Sequence, residues 1–209
     1  MKDLVIIGNG GMAKEVEWLV ERINNVTPTW NLLGFIDQDT SKKGVIGDDK
    51  FIAGYAKELY VSIAIGASGT REKIYQKYQS NENIHFANLI DPSVLKSSTV
   101  RMGEGNIICA GTILTVNISV GNCNIINTNC TVGHDAVIED CVTVNPGVNL
   151  SGNTTLCSGS NIGVGTKVIQ GLTIGRNTIV GAGAVVNRDL PENCTAVGVP
   201  AKVIKVRGE

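Results

Sequence analysis

His134 is followed directly by Asp135 in the run Gly133-His134-Asp135. Histidine takes and returns a proton near neutral pH, and an adjoining carboxylate orients the ring and raises its basicity. The pair is a candidate general base. Successive residues of a strand point to opposite faces, so the two side chains meet only where the backbone bends. The other histidine, His85, precedes an apolar run and reads as a structural or surface residue.

A second chemical signal is Gly8-x-Gly10-x-x-Ala13, between an apolar run and a helical pattern. Glycines there permit a tight turn and close approach to a phosphate, and a helix N-terminus favours an anion. Asp37 ends the next apolar run, where a carboxylate suits a ribose hydroxyl or a base N–H.

Two kinds of element must position these groups. The first 90 residues alternate strands with helices, as in a small Rossmann-like parallel sheet. Strands are expected over 3–7, 32–36, 61–65 and 86–90. Val16, Leu19, Val20 and Ile23 mark one helix, and a second runs from about 70 to 78 with Ser68 as its N-cap. Asp91-Pro92-Ser93 marks the change of rhythm. From Met102 to Val186, every sixth residue is aliphatic or Met, fifteen in all. Neither a helix nor an ordinary strand has that period. It predicts a parallel β-helix over residues 91–209, of five triangular coils and a tail from Leu190. The small residues four places after the repeated aliphatics, such as Cys130, Ala136 and Thr154, would fill space beside them.

Composition narrows the classes. The formal net charge is −1, without the basic excess of a nucleic-acid binder or the polybasic run of a membrane-surface protein. No window reaches the ~20 apolar residues of a transmembrane helix, and the N-terminal run is too short for a signal peptide. A soluble, cytoplasmic protein is expected. The six cysteines form no CxxC pair, so they read as reduced structural residues and no metal site is expected.

The assembled motifs resemble the sialic acid O-acetyltransferase (NeuD-like) family of sugar O-acyltransferases, and within it the PglD-type UDP-4-amino-sugar N-acetyltransferases. The carriers are the run from Gly8 to Ala13, Gly34-Phe35-Ile36-Asp37, Ile63-Ala64-Ile65-Gly66 with Arg71, and Gly133-His134-Asp135. Pro146-Gly147, Leu150-Ser151-Gly152 and Gly198-Val199-Pro200-Ala201-Lys202 complete the set. The resemblance implies a left-handed β-helix, a homotrimer and active sites between subunits, with acetyl-CoA in the groove between two helices. By position it makes His134 the base, Asp135 its partner and Asn127 a neighbour of the reacting amine. It places Gly10, Gly11 and Met12 by the diphosphate, Asp37 and Gln38 by uracil, and Gly66 at a further nucleotide contact. Thr143, Val164 and Ala182 fall at acetyl-CoA contacts. This chain departs from related enzymes in having Asp135 where Glu is frequent, Thr143 for a histidine and Ala182 for a glycine.

The expected reaction is direct acetyl transfer from acetyl-CoA to the amine of a UDP-4-amino-4,6-dideoxy sugar, without an acyl-enzyme. O-acetylation of sialic acid or another sugar hydroxyl is the near alternative. A nucleotide-dependent oxidoreductase is disfavoured, since about 90 residues form one mononucleotide unit and no second follows. A hydratase of the γ-class carbonic anhydrase type needs three histidine ligands, which one histidine in the repeat does not supply. A non-catalytic trimerising scaffold would bind no CoA and tolerate any change at His134.

Overall fold

The computed structural model describes residues 1–207. Its first unit is a five-stranded parallel sheet in the order β3-β2-β1-β4-β5. The strands are β1 (Lys2–Ile7), β2 (Trp30–Ile36), β3 (Val45–Gly47), β4 (Leu59–Ile63) and β5 (Ile84–Phe86). The helices are α1 (Gly11–Val26), α2 (Asp49–Gly54) and α3 (Ser68–Tyr78). Leu4, Val5 and Ile6 of β1 are fully buried, as expected for a central strand covered on both faces. Ala13, Val16, Leu19 and Val20 put the apolar stripe of α1 onto that core.

Several expectations shift. β4 ends at Ile63, because the next residues form a loop whose Ile65 and Gly66 carbonyls accept from Arg71 at 2.9 Å each. Ser68 is the first residue of α3 and Ala67 its N-cap. The Ser68 hydroxyl instead donates to the Gly159 carbonyl at 3.0 Å, across to the second unit. The strand expected over 86–90 is divided. Ile84–Phe86 closes the first sheet, while Leu89–Ile90 pairs with Ile107–Ile108 as the first rung of the β-helix. β3 and α2 were not expected. They are short, and Asp48 starts α2 by accepting from the Lys50 N–H at 2.9 Å.

The second unit is a left-handed parallel β-helix of two-residue rungs in three sheets. From Leu89–Ile90 through Lys167–Val168, each rung pairs with the rung eighteen residues on, as in Thr131–Val132 with Asn149–Leu150. Of the fifteen repeated aliphatic positions, Met102 is partly buried and the others are buried. They stack into interior rows such as Leu114, Val132, Leu150, Val168 and Val186. Burying each such side chain contributes about 1.5–3 kcal/mol. Cys130, Ala136, Thr154, Ser160, Thr166, Thr178 and Ala184 are fully buried beside them. The winding begins two rungs before Met102, at Leu89–Ile90 and Leu95–Lys96. It ends in an antiparallel hairpin, Cys194–Val197 with Lys202–Val206, and a cis Val199–Pro200 bond lies in its turn.

The corners carry a repeat of their own. Three residues after each interior side chain, from 105 to 183, the backbone takes a positive φ. Those places hold Gly, Asn, Asp or Cys. Asn and Asp tolerate this left-handed region better than other non-glycine residues, which explains most of the choice. Asp135 is one such corner residue, with φ 57°.

Candidate active site

The open ends of β1 and β4 flank the point where the strand order reverses, the usual crevice for a ligand in such sheets. A cavity of about 320 Å³ lies there, walled by Gly8, Asp37, Gln38, Asp49, Lys73 and Lys77 among others. Gly8 has φ 107°, which turns the chain sharply out of β1. Gly10 is the N-cap of α1 and offers no side-chain hydrogen bond, so the first N–H groups of the helix remain available to an anion. The space beside Gly10 and Gly11 is open. Asp37 Oδ1 accepts from the Asp39 N–H and from Lys42 Nζ, both at 3.0 Å. Those bonds, the Asp39 N–H first, hold its carboxyl below the usual range. Gln38 joins the wall of this cavity, while Met12 is the second residue of α1 and Gly66 lies in the loop before α3.

Thr70, Lys73, Ile74 and Lys77 also line the cavity and form one face of α3. Lys77 pairs with Asp49 at 2.7 Å, and Tyr78 donates to the same carboxylate at 2.7 Å. Sequence reading missed this wall, although the spacing of 70, 73, 74 and 77 is the signal that would have found it.

His134 sits on a corner after the rung Thr131–Val132. Its Nδ1 lies 2.7 Å from Asp135 Oδ2, and Asn117, one coil earlier, donates to Asp135 Oδ1 at 3.2 Å. Both bonds, that to His134 first, keep the Asp135 carboxyl below its ordinary range. The two side chains are half exposed, at 50% and 47%. The ring lies over Gly152 of the next coil, where a β-carbon would collide with Nε2 and its neighbours. Gly152 is thus the floor beneath the imidazole, and Nε2 is the nitrogen not held by Asp135.

Asn127 occupies a different corner of the same coil, after Ile125–Ile126, so one chain does not bring it to His134. Its Oδ1 accepts from the Thr128 N–H at 2.8 Å. Val164, 53% exposed, and Ala182 stack on that same corner above Thr128 and Pro146. The Gly165 and Gly183 N–H groups bond Pro146 and Val164 carbonyls at 2.9 and 2.8 Å.

The side chain of Thr143, expected at a coenzyme contact, is engaged within the chain. It is 5% exposed, and its hydroxyl accepts from Arg71 Nη2 at 2.9 Å and faces the Gly66 carbonyl at 3.4 Å. Its side chain therefore belongs to the junction of the two units. Arg71, 1% exposed, also donates to the Cys123, Cys141, Val142, Ile65 and Gly66 carbonyls at 2.7–3.1 Å. No carboxylate meets this guanidinium among the described residues, and burial pulls its pKa down to about 10. Arg22 makes a second junction with Asp91, at 2.5 and 3.0 Å.

Among the described residues no cluster of three His, Cys, Asp or Glu side chains is placed to hold a metal ion. None of their helices is long and apolar enough to cross a membrane. All six cysteines are unpaired, five of them buried.

The PglD N-terminal domain family matches residues 3–78. Among curated protein sequences none matches. The chain is similar to PerB from Caulobacter crescentus, solved with CoA and GDP-perosamine. The two are 35% identical, with a TM-score of 0.87 over 98% of each chain. Variants of that perosamine N-acetyltransferase with one histidine replaced by Asn or Ala were also solved with both ligands. WeeI from Acinetobacter baumannii is 32% identical, with a TM-score of 0.84 over 98% of this chain and 100% of that one. The acetyltransferase domain of PglB from Neisseria gonorrhoeae, in complex with acetyl coenzyme A, is 29% identical. Its TM-score is 0.88 over 97% of this chain and 99% of that one. With a nucleotide-type crevice and a His–Asp corner joined in one chain of this shape, the protein belongs to the PglD-like sugar acetyltransferases of the hexapeptide-repeat superfamily.

Proposed function

We propose that the protein transfers the acetyl group of acetyl-CoA to the 4-amine of a UDP-linked 4-amino-4,6-dideoxy sugar. The observation that carries this reading is one chain holding both the crevice at Asp37 and a half-exposed His134 braced by Asp135. UDP lies with its base by Asp37 and Gln38 and its diphosphate on Gly10, Gly11 and Met12 at the α1 N-terminus. Gly66 closes the crevice from the β4 side.

The neutral amine attacks the thioester carbonyl. As the new C–N bond forms, Nε2 of His134 takes a proton from the nitrogen. The C–S bond then breaks, and the same proton returns to the CoA thiolate. A positioned base contributes ~10²–10⁴-fold, and holding both substrates together contributes more. The Gly152 N–H, beside the His134 ring, is the donor proposed for the tetrahedral oxyanion.

His134 and Asn127 stand on separate corners of one chain, so a site containing both draws them from two copies. This supports a homotrimer with sites between subunits. Acetyl-CoA then runs along the corner of Val164 and Ala182, in the groove between two helices. A cytoplasmic location fits these two co-substrates.

A GDP-linked 4-amino sugar is the second reading, favoured by the ligand of the Caulobacter enzyme. Steady-state rates with UDP- and GDP-linked 4-amino sugars separate the two. A higher kcat/KM for the UDP sugar supports the first reading, and preference for the GDP sugar replaces it. Light scattering giving a monomer would contradict the shared site.

A further inference from the structure

A second cavity, of about 170 Å³, lies between α1 and the Asn127 corner. Its walls include Glu15, Trp18, Leu19, Cys109, Asn127 and Pro146. It is smaller than the ~300–1,000 Å³ that encloses a drug-sized ligand, so it suits one ring of a larger molecule.

Its position follows from the helix. Glu15 and Trp18 stand four and seven residues beyond Gly11, about 6 and 10 Å along the axis at ~1.5 Å per residue. That distance is within reach of the pendant sugar of a diphosphate held at the α1 N-terminus.

The side chains there are unusual for a helix surface. Trp18 is 52% exposed. It is also propped, because the Arg22 guanidinium sits over the indole at 5.1 Å and is itself fixed by Asp91. Glu15 is exposed and makes no ion pair or side-chain hydrogen bond among the described residues, whereas Glu17 on the same helix pairs with Lys14. A braced indole, an unengaged carboxylate and apolar walls match an aminated pyranose. Its C–H face lies on an aromatic ring and its ammonium meets a negative charge.

We propose that this cavity seats the acceptor sugar, with Trp18 as its stacking platform and Glu15 as the group that prefers an amine to a hydroxyl. Glu15 recruits the ammonium form, which sheds one proton to solvent before attack. The inference rests on the nucleotide-sugar reading above and adds the residues that choose the sugar.

The test is kinetic, on the full chain. Trp18→Ala should raise KM for the UDP-amino sugar roughly tenfold or more, leaving KM for acetyl-CoA and the Kd of UDP alone unchanged. Trp18→Phe should largely restore it. Glu15→Gln should raise the same KM roughly tenfold while leaving inhibition by the 4-hydroxy analogue unchanged. Wild-type acceptor KM in both Trp18→Ala and Glu15→Gln overturns this seat but not the reaction. Equal losses against the amino and hydroxy sugars in Glu15→Gln overturn the selectivity role. If the unmodified protein acetylates no nucleotide-linked amino sugar, the functional reading falls and this inference with it.

Discussion

Nδ1 of His134 meets Oδ2 of Asp135 at 2.7 Å, although the two residues are neighbours in the chain. The contact exists because Asp135 takes the left-handed corner conformation, φ 57°, which swings two successive side chains to the same side. Asn117 holds the other carboxylate oxygen. Asp135→Asn keeps a residue that tolerates this conformation and removes the charge. It should lower kcat about 10-fold or more, a part of what a positioned base supplies. KM for acetyl-CoA and the melting temperature should stay close to those of the parent. An unchanged kcat would remove Asp135 from the mechanism.

Gly152 is the floor under the imidazole, so Gly152→Ala should push the ring off its position. Displacing a reacting group by about 1 Å costs on the order of 10²-fold in rate. The expected result is a large fall in kcat with the circular dichroism of the β-helix preserved. Full activity in Gly152→Ala would show that the ring sits elsewhere during turnover.

Arg71 ties the Gly66 loop to the β-helix through the Cys123, Cys141 and Val142 carbonyls. Arg71→Lys keeps the charge but cannot span these acceptors with one ammonium. Hydrogen bonds to charged groups contribute about 1.5–3 kcal/mol each, so a loss of stability of at least that size is expected in urea. KM for the nucleotide sugar should rise more than KM for acetyl-CoA. Equal effects on both would make Arg71 a purely structural clamp.

The Arg22–Asp91 pair sets an acid limit on the junction. Arg22 and then the Ser93 contacts bring the Asp91 pKa down to about 2. A carboxyl depressed on folding stabilises the protein fully above its unfolded value, and that contribution fades as pH falls through the folded value. Between roughly pH 4 and 2 the parent should lose stability more steeply than Asp91→Asn. At neutral pH Asp91→Asn should be less stable by about 1.5–3 kcal/mol. Parallel curves for the two proteins would exclude the pair as the cause.

Much of this was legible in the sequence, for identifiable reasons. A coil of eighteen residues cannot bury its interior without an aliphatic at every sixth place, so the β-helix is written as period. Its corners are equally legible, since Gly, Asn and Asp recur where φ is positive, and that pattern would have anticipated the His134–Asp135 bend. The Gly8–Ala13 turn was readable because a tight strand-to-helix turn needs small residues, and Asp37 because it closes an apolar run. The bond between Arg71 and Thr143 was not, because Arg71 is distant in sequence and without any charged partner to suggest a contact. β3 and α2 are too short to show a period. Lys73, Lys77, Trp18 and Glu15 face cavities that exist only once helices pack on the sheet and the β-helix, and helix spacing alone does not say which face meets a ligand.

The most direct test is release of the CoA thiol from acetyl-CoA, with UDP-4-amino-4,6-dideoxy-N-acetylglucosamine as acceptor and free sialic acid alongside. Release with the UDP-amino sugar is expected, falling by about 10²-fold or more in a folded His134→Ala protein. Undiminished release in His134→Ala, or release with sialic acid alone, would contradict the account.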